Sequence, residues 1–349
     1  MIYQKHIKSL TLTLTLLIVI GINHITAQQI NLKPAKLFVG LPSFCPTPDA
    51  FDIAPDGSLV LSCPNFADKT LPGILVKINK DKKITKLIEI PGVTKDRNSN
   101  PMGIAYAPDG SLFVCNNQGR NQGQVLCITF DEKGNHTIEI VAEGMVQPNG
   151  IRYHDGALYV TQPAMPKIRT ENHVSGLYRF KTSDRNILIN NDKSDSNLIY
   201  IAETINPNRK VGLDGLVFNK AGELIVGDFG DGELIKLILD EEGKVTKEEM
   251  FANLPKATGI DGINTDSNDN IYVAGFCQNQ ILKVDPKSNV TLIADYDDND
   301  GANGQIDQPA DIIVYMNNII ISNFDLMTGE RITNSKHSKP YTLSYIKIE

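Results

Sequence analysis

Four residues far apart in the chain carry the oxygen donors that a hard cation needs: Asp49, Asn149, Asp214 and Asp261. With no His or Cys among them, three carboxylates and one amide suit a single divalent cation, calcium first, with zinc, manganese or magnesium as alternatives. Carboxylates gathered at one point disfavour each other's ionisation, so the set would need such a counter-charge. A cation there could polarise a carbonyl, and Asp261 or Asp214 could take a proton from water. Asn149 is placed to be a ligand or to orient a substrate. The competing reading is local, since Asn149-Gly150, Asp214-Gly215 and Asp261-Gly262 are also common turn pairs.

Other polar residues fall in loops that would share the same end of the fold. Asn117 and His173 are candidate substrate contacts. Asn65, Asn116, Gln162, Asp228, Asn323, Asp325 and His337 lie in equivalent loops. Amides with a few charges suit a polyhydroxylated or carboxylate-bearing small ligand. Asp295-Tyr-Asp297-Asp-Asn299-Asp-Gly301 resembles a calcium loop, but its Gly is one place late and Ile306 stands where a bidentate acid belongs. It reads as an acidic turn that could hold a second, weak calcium. No Gly-x-Ser-x-Gly is present, which leaves an esterase elbow unsupported.

The elements that must position these residues are repeated. Asp52-Ile-Ala-Pro-Asp-Gly-Ser-Leu-Val-Leu-Ser62 is echoed by Ala105-Tyr-Ala-Pro-Asp-Gly-Ser-Leu-Phe-Val-Cys115. Further copies start at Arg152, Val217, Asn264 and Ile313. Each is a strand, a tight Asp/Asn/Gly turn and a second strand, and β-branched runs supply a third and an outer fourth. A unit of roughly 40–50 residues repeated in this way predicts an all-β, six-bladed β-propeller. The last copy runs out of chain before its fourth strand. Lys36-Leu-Phe-Val-Gly40 is expected to supply it, closing the ring from the N-terminal side. In phase, the copies place Asp49, Met102, Asn149, Asp214, Asp261 and Ala310 at the start of each innermost strand, around one mouth. The longest interval, from Asn149 to Asp214, holds an expected mouth loop over 162–175. It also holds an edge excursion over 182–197, expected to be solvated and mobile.

Charge and leader set the remaining limits. Residues 1–27 have the basic start, apolar Leu10–Ile20 stretch and Ala27 end of an export signal. That stretch is too short to cross a bilayer, which takes about 20 residues. The expected product spans 28–349 as one propeller domain, periplasmic or secreted, with no membrane anchor. The net charge is −7. It becomes −9 once the two lysines of the leader are gone, which argues against nucleic acid as partner. In an oxidising compartment some of the five cysteines could pair: Cys45 with Cys63 near the top of one blade, or Cys115 with Cys127 across a hairpin. The odd count leaves at least one unpaired.

Pro148-Asn149-Gly150-Ile151 with Tyr159-Val160-Thr161, and Asp261-Gly262-Ile263-Asn264-Thr265-Asp266 with Ile271-Tyr272-Val273-Ala274, resemble the SMP-30/gluconolactonase/LRE-like family of six-bladed propellers. The resemblance spans about 36–349. It implies a metal-dependent hydrolase, a lactonase acting on a sugar lactone or related cyclic ester. It also implies one divalent cation held by a Glu, an Asn and an Asp beside a substrate-contacting Asn. Counted by blade, the Glu falls on Asp49, the substrate Asn on Asn149, the metal Asn on Asp214 and the metal Asp on Asp261. Asp49-Ala-Phe stands where the family has Glu-Gly-Pro. A shifted blade register would instead put the metal Asn on Asn149 and the metal Asp on Asp214. The chain is also similar to NHL-type propellers, which often only bind, so a non-catalytic propeller holding a sugar or peptide is the alternative. A strictosidine-synthase-like condensing enzyme shares the architecture but has no motif of its own here.

Overall fold

Each of the six sequence copies folds into a sheet of strands. A computed structural model describes residues 32–45 and 47–348; the export signal expected over 1–27 lies outside the described residues. Six antiparallel sheets follow one another in chain order, and no helix occurs among the described residues. The innermost strands are Phe51–Ile53, Pro101–Tyr106, Ile151–His154, Leu213–Phe218, Ile260–Thr265 and Pro309–Tyr315, one per blade. Tight turns lead into the second strands. Asp155-Gly156 and Met316-Asn317 are two-residue turns with both φ positive, the left-handed form that matches strand twist.

Blade six is completed from the other end of the chain, as expected. Lys36–Gly40 pairs antiparallel with Thr342–Lys347, from Lys36 opposite Tyr345 to Gly40 opposite Thr342. The pairing gives blade six its outer fourth strand and covers the edge that Thr342–Lys347 would otherwise expose.

The core lies between blades. Six apolar clusters each join neighbouring sheets. Ile104, Leu112 and Val114 of blade two meet Val60 and Leu75 of blade one. Ile313, Ile320 and Leu343 of blade six close back onto Leu59, Leu61 and Val76 of blade one. A blade has two apolar faces and only its neighbours can cover them, so the ring stabilises as a unit. Contacts group Leu32–Glu349 as one compact unit.

Two expectations need correction. The 182–197 excursion is fastened rather than loose. Ile187–Leu188 adds a fifth, parallel strand to blade two, and the buried Asp195 carboxylate accepts the amides of Asn190 and Asn191, both at 2.8 Å. No disulfide forms: all five cysteines are buried and free. Cys115 pairs with Val125 and Cys127 with Phe113, so these two cysteines are not directly opposed across the hairpin.

Candidate active site at the mouth of the ring

Four of the six innermost strands begin with a bulge beside the axis. In blades two, four, five and six the ladder slips at Pro101/Ile104, Leu213/Leu216, Ile260/Ile263 and Pro309/Ile312. At each slip two residues, Met102-Gly103, Asp214-Gly215, Asp261-Gly262 or Ala310-Asp311, stand against a single residue of the second strand. Such bulges re-aim side chains and commonly border sites. In blades one and three, Asp49 and Asn149 take the equivalent place, their amides bonded to Ser62 and Thr161 carbonyls at 2.9 and 3.0 Å.

The glycines are not turn residues. A Cβ on Gly150 would lie 2.5 Å from the Asp214 carbonyl, one on Gly215 2.3 Å from the Asp261 carbonyl, and one on Gly262 2.0 Å from Asp311 Oδ1. Neighbouring innermost strands approach too closely there for any side chain. The turn reading of these pairs therefore fails.

Hydroxyls and amides clamp the ring of strand starts. Thr161 Oγ1 donates to the Asp214 carbonyl at 2.6 Å, Ser322 Oγ to the Asp49 carbonyl at 2.6 Å, and Gly103 N to the Asn149 carbonyl at 3.0 Å. Each bond crosses from one blade to the next. Three of the four residues singled out in the sequence are thus held through their own backbones.

Asp49, Asn149, Asp214 and Asp261 share the floor of one cavity of about 510 Å³. Burial and the neighbouring Asp311 push Asp49 up to about 8. Burial, then Asp49 and Asp311, raise Asp214 well above the carboxylate range, against a lowering bond from Asn149. Asp261 is raised by burial, Asp214 and Asp49. Deeper in the channel, Asp311 is raised to about 6 by burial, with Arg152 opposing. Asp311 Oδ2 accepts the Phe51 amide at 2.8 Å, while Oδ1 is buried with no partner. Arg152 reaches across to the Ile263 carbonyl at 3.2 Å and faces Asp52 as well. Arg152 thus sets its positive charge against Asp311 and Asp52 beneath the three floor acids. Among the described residues, no group of three His, Cys, Asp or Glu side chains is arranged to hold a metal ion. The donor chemistry at the floor is nevertheless all oxygen and strongly negative, which fits a hard divalent cation.

The walls are apolar. Phe66, Phe324, Phe276 and Phe229 form a continuous belt, with successive ring centroids 6.2, 5.7 and 5.9 Å apart. Met102, Val211, Leu326, Met327 and Ile332 extend it, and Asn117, Gln147, Asn208, Arg209 and Lys210 supply the polar rim.

Asn117 is therefore at the cavity, but His173 is not among its lining residues. Its Nε2 is engaged by the Pro163 carbonyl at 2.7 Å, where it tethers the loop over 163–172. His337 is likewise occupied, by Tyr341 Oη at 2.6 Å. Most of the loop amides and acids fasten neighbouring backbone. Asn116 accepts the Asn100 amide, Gln162 the Val146 amide, and Asp228 both the Asp231 amide and the Thr204 hydroxyl. Asp311, Arg152 and the phenylalanine belt were not anticipated.

The fold defines a six-bladed propeller with an acidic cavity at its mouth. The profile of the SMP-30/gluconolactonase/LRE-like region matches residues 94–297, and the chain belongs to that family. Solved structures agree on the fold. A gluconolactonase from Xanthomonas campestris is 13% identical, with TM-score 0.57 over 92% of this chain and 96% of its own. A luciferin-regenerating enzyme is 13% identical, with TM-score 0.59 over 91% and 97%. Regucalcin from Agrobacterium tumefaciens, a calcium-binding protein, is 14% identical, with TM-score 0.58 over 91% and 96%. Curated proteins searched by sequence give no match.

Proposed function

We propose that this chain is an exported, metal-dependent hydrolase of the lactonase type, acting at the mouth on a lactone or related cyclic ester. The observation that carries the reading is the convergence of Asp49, Asn149, Asp214 and Asp261 on the floor of one apolar-walled cavity. These four residues would hold one divalent cation, calcium first, which when bound supplies polarisation of the ester carbonyl.

The side chains divide the remaining work. Asn149 bonds to Asp214, which fixes the direction of its amide beside the substrate. Asp261 is the proposed general base. It is only partly buried, faces the cavity, and burial among acids raises its affinity for a proton. Asp214 is the alternative base, but its bond to Asn149 makes it the better anchor. Water attacks the carbonyl carbon as its proton passes to the base. The ring C–O bond then breaks, and the alkoxide takes that proton, giving a hydroxy acid. The phenylalanine belt excludes bulk water and offers its surface to an apolar substrate body. The walls therefore favour a cyclic ester with an alkyl or aryl substituent over a polyhydroxylated sugar lactone.

A lactone panel tests this. Apolar lactones should be turned over with higher kcat/KM than sugar lactones, and Asp261→Ala should lose turnover while keeping its circular dichroism. Unchanged turnover in Asp261→Ala would remove the mechanism. The missing Glu at Asp49 favours a second reading, a propeller that binds such a ligand without cleaving it. That reading is chosen if the ligand binds wild type and no lactone is hydrolysed. Export belongs to the same proposal, and N-terminal sequencing of the secreted chain should begin at Gln28.

A further inference from the structure

Blade six carries a second group of acids that the mouth does not use. Asp307 lies just before its innermost strand, and Asp325 lies two residues beyond its second strand, Asn318–Asn323. Both are buried, at 0% and 3% exposure. Neither carboxylate oxygen of Asp307 receives a donor. The carboxyl within its reach is that of Asp325. Asp325 already accepts Asn334 Nδ2 at 3.3 Å and the Ser338 amide at 2.8 Å. Asp298 and Asp300 add further negative charge.

A buried carboxylate with both oxygens bare is strongly disfavoured unless something meets it. The charged groups around it are further carboxylates, Asp325, Asp298 and Asp300, rather than donors. The acidic loop folds over the spot, so that a Cβ on Gly301 would lie 3.4 Å from Asp307 Cβ. Asn299 Nδ2 holds this loop to the Asp297 and Ile306 carbonyls, both at 2.8 Å, and Thr342 Oγ1 donates to the Gly301 carbonyl at 3.0 Å. Counting Gly301 as the sixth place of a twelve-residue calcium loop puts Asp298 and Asp300 on places three and five. Asp307 then takes place twelve, where a bidentate acid belongs. Place one is Tyr296, whose hydroxyl accepts the Ala35 amide at 2.8 Å, so the loop is not an EF-hand.

We propose that the space between Asp307 and Asp325 is a second divalent-cation site of the calcium class, with Asp307 as its central ligand and Asp325 as a further oxygen donor. No acidic triad converges among the described residues, and calcium commonly completes its shell with amide and carbonyl oxygens. With the cation absent, burial and the Asp325 charge hold Asp307 at about 8, and burial holds Asp325 at about 7 against the bonds it accepts, so a shared proton is the competing occupant. The site would brace the mouth. Phe324, Leu326 and Met327 of the cavity wall flank Asp325. Gln308, next to Asp307, accepts the Leu326 and Met327 amides at 2.9 and 2.7 Å.

The test uses the full mature chain carrying Asp214→Asn and Asp261→Asn, which strips two of the three carboxylates from the mouth and weakens its hold on a cation. Calcium should raise its Tm relative to EDTA, and adding Asp307→Asn should abolish that rise while raising the Tm in EDTA. A Tm insensitive to calcium in the double variant, or a rise that survives Asp307→Asn, overturns the proposal. Should Asp307→Asn fail to fold, equilibrium dialysis with Asp325→Asn decides. Bound calcium should then fall at least tenfold below the double variant, and equal binding overturns the site.

Discussion

Raising the pH should weaken the metal-free protein, and a divalent cation should cancel the effect. Asp49 has a pKa of about 8 in the folded chain against 3.8 unfolded, because burial and Asp311 disfavour its charge. Asp311 is held at about 6, and Asp214 and Asp261 are raised in the same direction. A carboxyl with a raised folded pKa keeps its proton in the native state after the unfolded chain has lost it. Stability therefore falls as pH climbs from about 4, and the loss is complete once the folded pKa is passed. Each such group contributes a slope of about 1.4 kcal/mol per pH unit inside its window. For Asp49 alone the window spans about four units, on the order of 5 kcal/mol if the site neither relaxes nor admits water. Relaxation leaves a net slope of roughly 1 kcal/mol per pH unit between pH 5 and 7 as the expected observable. Urea unfolding at pH 5, 6, 7 and 8 measures it, in EDTA and in calcium. The Asp307→Asn variant is the proper background, since Asp307 has a raised pKa of the same sign. Calcium should flatten the slope by stabilising the charged floor. A metal-free protein as stable at pH 7.5 as at pH 5 would refute a shared, desolvated site.

Further predictions follow from the packing. Gly262→Ala would drive a methyl to 2.0 Å from Asp311 Oδ1 and 2.6 Å from its Cα, so it should cost about 1–3 kcal/mol in urea unfolding and depress turnover. Arg152→Met should cost about 1–3 kcal/mol at pH 7, because it takes away the positive charge that opposes Asp311 and Asp52. That loss should shrink at pH 5, where the acids are protonated. Removing residues 28–40 deletes the strand that closes blade six, and the product should aggregate or unfold without a cooperative transition, read by light scattering and circular dichroism.

The repeat made the fold legible because each copy places apolar residues on both faces of a short strand, a pattern only stacked blades can bury. Phase within the repeat also singled out Asp49, Asn149, Asp214 and Asp261. Asp311 escaped because it occupies the place where blades two to five have glycine, and only the bulge shows that this place also faces the channel. The phenylalanine belt escaped because Phe66, Phe229, Phe276 and Phe324 sit in loops that follow the second strands, outside the conspicuous part of each copy. The loop amides misled for a physical reason. Irregular backbone at a buried rim must have its own polar groups satisfied, and Asn116, Gln162 and Asp228 do that work rather than face a ligand. His173 could not be told from a substrate contact until its bond to Pro163 was visible. The fastened excursion over 182–197 was hidden because its strand is only Ile187–Leu188 and is anchored by one buried acid, Asp195.

The decisive measurement is lactone turnover by the wild-type chain stripped of metal with EDTA and then supplied with calcium. Turnover should vanish on stripping and return with the ion, and Asp261→Ala should stay inactive under both conditions. Full turnover in the stripped protein, with no gain from any divalent cation, would contradict a mouth built to hold one.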